Sequence, residues 1–402
     1  MNREPFCAPP RWWAPKLNSK WVRISRRYRR RQLHRKQRLV EVVSQNTEVL
    51  QNAVAAGKGV LVTPNHSAHY DGPALYTAAD RIDLPLYFMI AWQVFAMANR
   101  FECWAMQRLG CFSIDREGND RRAFKQAVHT LQHETHPLVV FPEGDIYHTT
   151  DYVASFREGA AAIALAAARR GERPIVVVPC GIKFWYLEDP TSELQEALRQ
   201  IETRLHLRSL DELPLVERIH RLAEAALALK ELDYLGHTRS GLLRQRVTYL
   251  LQAVLTQLEE RHQLPDCGAT PPERVKALRQ CVIRKLEQQQ ERPAANGQLV
   301  RLQSDMEDLF FVMQLYSYRG DYLVDHPSVE RLAETVDKFE EDILGLEFPN
   351  VRGQRRVAVR FGQPIEIDGS QRRRAGATEL TRIMQTRVQA LLDELNDQSP
   401  KR

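Results

Sequence analysis

The sequence has few cysteines, and they follow no ordered spacing. Its 402 residues include six cysteines, none in a C-x-x-C pair. This argues against the common zinc and disulfide frameworks and favours a reducing setting. A long apolar run is also absent, since the longest candidate, Leu84–Ala98, contains Gln93 and is too short to span a bilayer comfortably. No signal-peptide core follows the basic N-terminal residues. We therefore expect a cytoplasmic protein without a spanning helix.

The chain has more basic than acidic residues, 57 lysines and arginines against 51 aspartates and glutamates. The formal net charge is +6 and the pI is about 9.0. A basic balance favours an anionic partner such as a membrane surface, nucleic acid or a phosphorylated substrate. The remaining composition, 43% hydrophobic and 27% charged, is that of a globular protein with one large domain or two modest ones.

Residues 1–40 form a basic segment rich in tryptophan and arginine. Trp12, Trp13 and Trp21 precede a dense run of arginines. Tryptophan prefers the lipid headgroup layer, and arginine is attracted to anionic lipid. We expect this segment to hold the protein peripherally on a membrane surface. A solvated or nucleic-acid-binding arm is the alternative and predicts salt-dependent binding to DNA or RNA; we expect no nucleic acid partner.

Strand and helix patterns alternate through residues 41–187. Short apolar runs typical of buried strands occur at Gly59–Pro64, Pro137–Gly144 and Arg173–Phe184. Helical patterns separate them, and the apolar spacing of Leu39–Val54 predicts a further helix before the first strand. This alternation predicts an α/β core in which a sheet is flanked by helices.

Residues 188–350 show almost no strand pattern. Apolar residues recur at helical spacing, and Thr270 with Glu273 forms a capping-box pattern around Pro271. We expect an all-helical region. The sequence leaves its role open among a lid, an oligomer contact and a membrane platform.

Residues 351–402 return to a strand pattern and end in a helix. Val357, Val359 and Phe361 alternate with Ala358 and Arg360, which predicts a strand with one half-exposed face. A lone strand must pair, and the simplest partner is the earlier sheet. The helical region is then an insertion before the last core strand.

Two histidines and an aspartate follow the first apolar strand within six residues, as His66, His69 and Asp71 in PNHSAHYDGP. Three interpretations fit this stretch. A metal site would need further ligands, and polar residues after a strand often cap the next helix. In the third, a histidine at the C-terminal end of a strand is oriented by a carboxylate on the next turn and acts as a general base.

Three further blocks follow in order: GCFSIDR at Gly110–Arg116, FPEG at Phe141–Gly144 and IVVVPCGI at Ile175–Ile182. With His66-x4-Asp71 they resemble the motifs of the glycerolipid acyltransferases, the lysophosphatidic-acid-acyltransferase-like family. The resemblance covers about residues 41–187 and 354–395. It implies an α/β core, whereas the helical insertion lies outside it.

The resemblance implies an O-acyltransferase of phospholipid biosynthesis. The acyl group passes from acyl-CoA or acyl carrier protein to a hydroxyl of a glycerol(phospho)lipid, foremost 1-acyl-glycerol-3-phosphate. His66 takes the hydroxyl proton, and Asp71 orients His66. No acyl-enzyme is implied, so Ser67 is not expected to be a nucleophile and Cys180 is expected to pack in a strand. Neither a cofactor nor a metal is implied.

The resemblance also implies a substrate phosphate site at Arg116, Glu143 and Gly144. The guanidinium fork of Arg116 suits a phosphate, although a salt bridge to Asp115 or Glu117 is the alternative for this side chain. The glycine lets backbone approach a ligand, and Glu143 is expected to order Arg116 or the loop.

The sequence departs from the family pattern after FPEG. The family commonly continues with Thr-Arg, but this chain has Asp145 and Ile146. The second phosphate-binding arginine is therefore absent from its usual place. This leaves open another acceptor, glycerol-3-phosphate or a non-phosphate lipid alcohol, or a lipid-binding protein without catalysis. The residues expected to line the pocket are Asn65, His69, Tyr147, His148 and Arg157, of which the last three could replace the missing arginine.

Overall fold

The computed structural model describes residues 10–118, 120–264, 270–291, 296–324, 327–370 and 373–398. The chain divides into two compact units. One, the sheet unit, comprises Cys7–Pro190 and Val351–Arg402, and the other, the helical unit, comprises Thr191–Asn350. None of the described helices combines the length and the apolar composition needed to cross a bilayer.

The sheet unit is built on one sheet, to which the described residues contribute eight strands. They are β1 (Leu39–Gln45), β2 (Gly59–Pro64), β3 (Tyr87–Ala91), β4 (Cys111–Ile114), β5 (Leu138–Val139), β6 (Ile175–Tyr186), β7 (Arg355–Phe361) and β8 (Ile365–Glu366). The order is β1-β7-β6-β2-β5-β3-β4, with β8 paired to β6. Neighbouring strands are parallel, except that β6 pairs antiparallel with β7 and β8.

Fourteen helices occur in the described residues. In chain order they are α1 (Ser19–Gln37), α2 (Glu48–Ala55), α3 (Asp71–Asp80), α4 (Trp92–Met97), α5 (Arg100–Arg108), α6 (Arg121–His133), α7 (Gly159–Arg170), α8 (Thr191–Arg204), α9 (Leu215–Leu235), α10 (Leu243–His262), α11 (Pro271–Glu291), α12 (Asn296–Ser317), α13 (Val329–Asp342) and α14 (Arg373–Asn396). Helices α8–α13 belong to the helical unit.

Helices cover both faces of the sheet. Val60 and Val62 of β2 pack in one layer with apolar residues of α1, α2 and α3. Leu61, between them, packs in the other layer with residues of α6, α7 and α14. Strands buried on both faces have continuous apolar runs rather than alternating ones. The α/β sheet flanked by helices, with a large helical region later in the chain, is therefore confirmed.

The helix predicted at Leu39–Val54 is wrong in its first half. Leu39–Gln45 is a parallel strand beside β7, and α2 follows at Glu48 after Asn46 turns the chain at φ 56°. Apolar residues at 39, 40, 42 and 43 fit a helix or a strand. Pairing with β7 decides between them, because tertiary context overrides local pattern.

Strand β7 is more buried than its alternation predicts. Ala358 is fully buried and packs with Leu392 and Leu395 of α14. The sequence places this residue on a half-exposed face, but α14 covers that face. The strand pairs with the earlier sheet as expected, between β1 and β6.

The helical unit ties consecutive helices together with buried ion pairs. Each pair joins an arginine to a glutamate of the preceding helix, at 2.7 to 2.8 Å: Arg218 to Glu202, Arg246 to Glu231, and Arg274 to Glu259. Removing one partner of a buried pair leaves an uncompensated charge. These pairs therefore bind α8 to α9, α9 to α10 and α10 to α11 in fixed register.

Candidate active site

His66 and Asp71 meet at the carboxyl end of β2. The strand ends at Pro64, and α3 begins at Asp71. His66 Nδ1 lies 3.0 Å from Asp71 Oδ2. The aspartate is fully buried, while the histidine side chain keeps 21% of its surface exposed. The pair therefore consists of a buried carboxylate and a partly exposed imidazole that a substrate can reach.

The surroundings of Asp71 decide which nitrogen of His66 carries the proton. Asp71 Oδ2 also accepts hydrogen bonds from the backbone nitrogens of Ser67, at 2.6 Å, and Ala68, at 2.8 Å. An oxygen that already accepts from two N–H groups faces His66 as an acceptor as well. His66 Nδ1–H then donates to it, and Nε2 is left as the basic nitrogen.

Glu143 holds the backbone beneath the imidazole. Its Oε1 accepts from the backbone nitrogen of His66 at 2.7 Å, and its Oε2 accepts from that of Ala154 at 3.0 Å. Burial raises the pKa of Glu143 well above its usual range, and these two hydrogen bonds oppose that rise. The residue acts through backbone positioning.

Phe141 supports the ring of His66 from the side. The two ring centroids are 4.2 Å apart with an interplanar angle of 30°. Phe141 and Glu143 belong to the same four-residue block, so one turn fixes both the ring and the backbone of His66. Such double support favours a single orientation of the imidazole.

Gly144 lies beside two arginines. Arg116 Nη1 donates to the carbonyl oxygen of Gly144 at 2.8 Å. The glycine has φ +74°, and a Cβ placed on it would lie 2.7 Å from Arg157 Nε and 2.8 Å from Arg157 Cζ. Only glycine permits both this backbone conformation and the close approach of the second guanidinium.

The loop between Gly144 and α7 is anchored at several points. Lys183 of β6 is buried and pairs with Asp151 and with Thr150 Oγ1. Gln389 Oε1 of α14 accepts from the backbone nitrogen of Val153 at 3.0 Å, and Gln385 does the same for Phe156 at 3.1 Å. The loop that carries Arg157 is therefore held by the sheet and by the last helix.

The remaining predicted site residues lie near the dyad in different settings. Asn65 is fully buried and hydrogen-bonds both backbone groups of Ile182, at 3.0 and 2.7 Å, so it ties the end of β2 to the middle of β6. The rings of His69 and His148 are 5.7 Å apart in a T-shaped contact. Tyr147 is buried, and its backbone nitrogen lies 3.4 Å from the carbonyl oxygen of His66.

Neither Cys180 nor Cys111 offers an activated thiol to the site. Cys180 of β6 is fully buried, and burial raises the pKa of its thiol. Burial likewise raises the pKa of Cys111 to about 12. A nucleophilic cysteine needs a lowered pKa, and these two have the opposite shift.

Sequence reasoning missed several residues that build this site. The sequence identifies Phe141 only as part of a motif, although its ring contacts His66. Lys183 and the two glutamines of α14 gave no motif signal at all. A lysine inside an otherwise apolar strand is the one hint the sequence offers, since a buried charge needs a partner.

Comparison with known families gives one match in this region. Residues 41–183 match the family model described as Acyltransferase. The matched segment runs from β1 to the middle of β6 and includes the dyad, the FPEG turn and both arginines. A comparison with curated proteins finds no match.

Proposed function

Since residues 41–183 belong to the acyltransferase family and the chain is an acyl-transferring enzyme, we propose a specific reaction for it. It moves a fatty acyl group from acyl-CoA or acyl carrier protein to a hydroxyl of 1-acyl-glycerol-3-phosphate, in phospholipid synthesis. The observation that carries this proposal is the contact of His66 Nδ1 with the buried Asp71 at 3.0 Å. It leaves a basic nitrogen at a partly exposed position.

The proposed mechanism is a direct transfer. His66 Nε2 accepts the proton of the acceptor hydroxyl as the hydroxyl oxygen attacks the thioester carbonyl carbon. The new C–O bond forms, the C–S bond breaks, and the thiol leaves with the proton that His66 returns. Asp71 stabilises the imidazolium between these two proton transfers.

The geometry around the dyad supports direct transfer over an acyl-enzyme. Ser67 Oγ lies 3.5 Å from Asp71 Oδ1, and the residue is buried. A serine nucleophile would instead need to be within hydrogen-bond reach of the base. With Cys180 buried as well, holding hydroxyl and thioester together beside His66 is the main task of the site.

We further propose that the protein works peripherally on an anionic membrane. Helix α1 packs through Arg29, which pairs with Asp80 of α3 at 2.7 Å. Its outer side exposes Ile24 and Tyr28, at 77% and 62%. The exposed Arg27 and Arg31 share that face at helical spacing. Apolar and basic groups on one face suit the boundary between headgroups and acyl chains.

A second group of exposed apolar residues lies on α4 and α5. Phe101 and Met97 are 63% and 44% exposed, and Phe101 stacks on Trp104. Trp104 contacts Trp21 of α1, with ring centroids 4.8 Å apart. This contact joins the exposed apolar residues of α4 and α5 to α1. An exposed apolar patch beside basic residues is typical of a membrane-binding surface.

Two of the three N-terminal tryptophans pack against the protein instead of extending from its surface. Trp13 stacks on Phe95 at 5.2 Å, and Trp12 lies 6.2 Å from Phe112. Both side chains pack on the sheet unit, because an indole ring gains more by burial there than in solvent. The proposed membrane surface therefore consists of the outer face of α1 with Met97, Phe101 and Trp104.

The test is acyl transfer by the purified protein in anionic vesicles. Labelled acyl-CoA and acyl carrier protein are each offered with 1-acyl-glycerol-3-phosphate, glycerol-3-phosphate and 1-acylglycerol. We expect His66→Ala to lower kcat at least about a thousandfold. His220→Ala, an exposed histidine of the helical unit, is the matched control.

The preferred acceptor decides between the proposed substrate and the alternatives. A preference for glycerol-3-phosphate or for 1-acylglycerol would replace the proposed acceptor. Vesicle binding without transfer to any acceptor would contradict the catalytic proposal and favour a lipid-binding role.

A further inference from the structure

Two histidines lie side by side on the outer face of α6. His129 and His133 are four residues apart in the helix, and both are exposed. Their ring centroids are 4.5 Å apart, with an interplanar angle of 44°. Histidines at i and i+4 of a helix share one face, and in zinc-binding helices this spacing lets both rings bind the same ion. The pair therefore offers two imidazole ligands to one metal ion.

Glu172 fixes the ring of His133 from a neighbouring loop. His133 Nδ1 lies 3.1 Å from Glu172 Oε2. In the neutral ring this contact places the proton on Nδ1, so Nε2 keeps a free lone pair. Metal-binding histidines commonly donate their other ring N–H to a carboxylate in this way, which fixes the ring and makes the ligating nitrogen more basic. His133 is thus already oriented as a ligand.

The backbone that carries these side chains is held in place. On the inner side of α6, Leu131 is buried and Gln132 donates to the carbonyl oxygen of Ala167 in α7 at 3.0 Å. Arg173, next to Glu172 in the chain, donates from Nε to the carbonyl oxygen of Leu131 at 2.7 Å. These contacts set the position of Glu172 relative to α6. A site arranged before binding loses less free energy when the ion binds.

The histidine pair lies at the opposite edge of the sheet from the dyad. Helix α6 leads into β5, and Glu172 shortly precedes β6, so both approach the sheet at the amino ends of these strands. His66 instead follows the carboxyl end of β2, which is parallel to β5 and β6. An ion bound at this edge takes no part in acyl transfer, and its effect is on the stability of the fold.

We propose that His129 and His133 bind one divalent transition-metal ion through one ring nitrogen each, with Glu172 orienting His133 from the opposite nitrogen. Imidazole ligands suit zinc, nickel and copper. Water completes the coordination, since the site faces solvent. The two rings are brought together by the helix and Glu172 by the adjoining loop, so the full arrangement exists only in the folded chain. Ion binding therefore stabilises the sheet unit.

The test uses Ni²⁺ as the probe, titrated calorimetrically into EDTA-treated protein without a polyhistidine tag. Wild type is compared with His129→Ala, His133→Ala, Glu172→Gln and His220→Ala. His220 is the matched control, because it is an exposed helical histidine with a carboxylate 3.9 Å from Nδ1 but no histidine one turn away in the sequence.

We expect wild type and His220→Ala to bind one equivalent of Ni²⁺ that His129→Ala and His133→Ala lose or bind at least about tenfold more weakly. Glu172→Gln should weaken binding about tenfold or more, as loss of a carboxylate behind a metal-binding histidine does. Ni²⁺ should also raise the unfolding midpoint more in wild type and His220→Ala than in the two other alanine variants. Equal midpoints of all five proteins without Ni²⁺ would show that the variants fold.

The same Ni²⁺ binding by wild type and both α6 alanine variants would overturn the proposed site, as would an equal loss in His220→Ala. Unchanged binding by Glu172→Gln would contradict the orienting role of this carboxylate. Neither measurement uses acyl transfer, so the result is independent of the proposed function.

Discussion

Glu143 fixes His66 through the backbone, since its carboxylate accepts from the His66 backbone nitrogen at 2.7 Å. Its second oxygen holds Ala154, so one buried side chain joins the strand end to the loop that leads to Arg157. The glutamate of the FPEG block is therefore a positioning residue in this fold. Each of its two carboxylate oxygens accepts one backbone N–H group, so replacing either oxygen removes a buried hydrogen bond.

Glu143→Gln is expected to lower both stability and kcat. The amide keeps one acceptor oxygen but turns its NH₂ group toward the other backbone N–H, so one buried hydrogen bond is lost. We expect a loss of about 1–3 kcal/mol in the free energy of unfolding. Urea unfolding and steady-state kinetics measure both effects, and an unchanged kcat would contradict the positioning role.

The same variant should change the pH dependence of unfolding. Burial raises the pKa of Glu143 in the folded state, with hydrogen bonds from the His66 and Ala154 backbone opposing the rise. The unfolded chain then releases this proton first as pH rises, so folded stability falls between the ordinary glutamate pKa and the raised one. Glu143→Gln should lack this fall, which unfolding midpoints across acidic and neutral pH would detect.

Asp71→Asn is expected to lower kcat about a hundred- to ten-thousandfold with little change in fold. The amide oxygen is an uncharged and therefore weaker acceptor for the three N–H groups that meet at Asp71 Oδ2, and it no longer stabilises the imidazolium. Asp233→Asn, an exposed aspartate of α9, is the control. A variant with near wild-type kcat would mean that His66 does not act as a base oriented by Asp71.

Gly144→Ala separates backbone strain from the contact with Arg157. Gly144 and Gly236 have φ values of +74° and +76°, but a Cβ on Gly236 would meet nothing within 4 Å. Both alanine variants should lose about 1 kcal/mol of stability from the backbone alone. Gly144→Ala should lose more and should also raise KM for a phosphate-bearing acceptor. Equal effects of the two variants would show that the contact with Arg157 is unimportant.

Lys338 gives the helical unit a predictable response to pH. Burial lowers the pKa of Lys338 from 10.5 to about 7, with nearby carboxylates led by Asp342 opposing the shift. The unfolded lysine stays protonated to higher pH, so the stability of the unit should rise by a few kcal/mol as pH increases from about 7 toward 10.

Lys338→Met should abolish most of this rise and should stabilise the unit at neutral pH. Chemical unfolding at several pH values measures it, with Lys230→Met, an exposed lysine of α9, as control. The same pH dependence in wild type and Lys338→Met would contradict the assignment to this residue.

The proposed membrane surface predicts which apolar residues matter for vesicle binding. Met97→Ser with Phe101→Ser should weaken partition to anionic vesicles about tenfold or more, because exposed apolar area is lost. Leu229→Ser with Leu232→Ser is the matched control on the helical unit, where these leucines are 53% and 50% exposed. High salt should weaken binding further by screening the arginines of α1. If the two double variants bind alike, the surface is placed wrongly.

The sequence predicts the fold best where a local apolar pattern fits only one kind of secondary structure. Strands β2 and β6 are buried on both faces of the sheet, so each is a continuous apolar run. Such a run predicts a strand without knowledge of its neighbours. The family resemblance, which rests on blocks adjoining these strands, is confirmed by the match over residues 41–183. The pattern wrongly predicts a helix for β1 because its apolar spacing suits both periodicities, whereas β5, although only two residues long, lies within the run Pro137–Gly144 that predicts a strand.

The contacts within the site were beyond sequence reasoning for a different reason. The pairing of His66 with Asp71 is local, and a motif six residues long can express it. The approach of Arg157 to Gly144 depends on the path of a loop, which Lys183 and the glutamines of α14 hold from up to 236 residues away in the sequence. No spacing rule describes such a path.

The antiparallel pairing of β6 with β7 brings together the two points at which the chain leaves the sheet and returns to it. Tyr186 pairs with Arg355, and the backbone nitrogen of Leu187 donates to the carbonyl oxygen of Gln354 at 2.8 Å. The two strands pair as in a β-hairpin, but residues 188–353 connect them instead of a short turn. Because both ends of that segment leave the sheet at adjacent residues, its length is unconstrained by the hairpin. We expect a two-residue turn in place of residues 188–353 to leave the register of β6 with β7 unchanged.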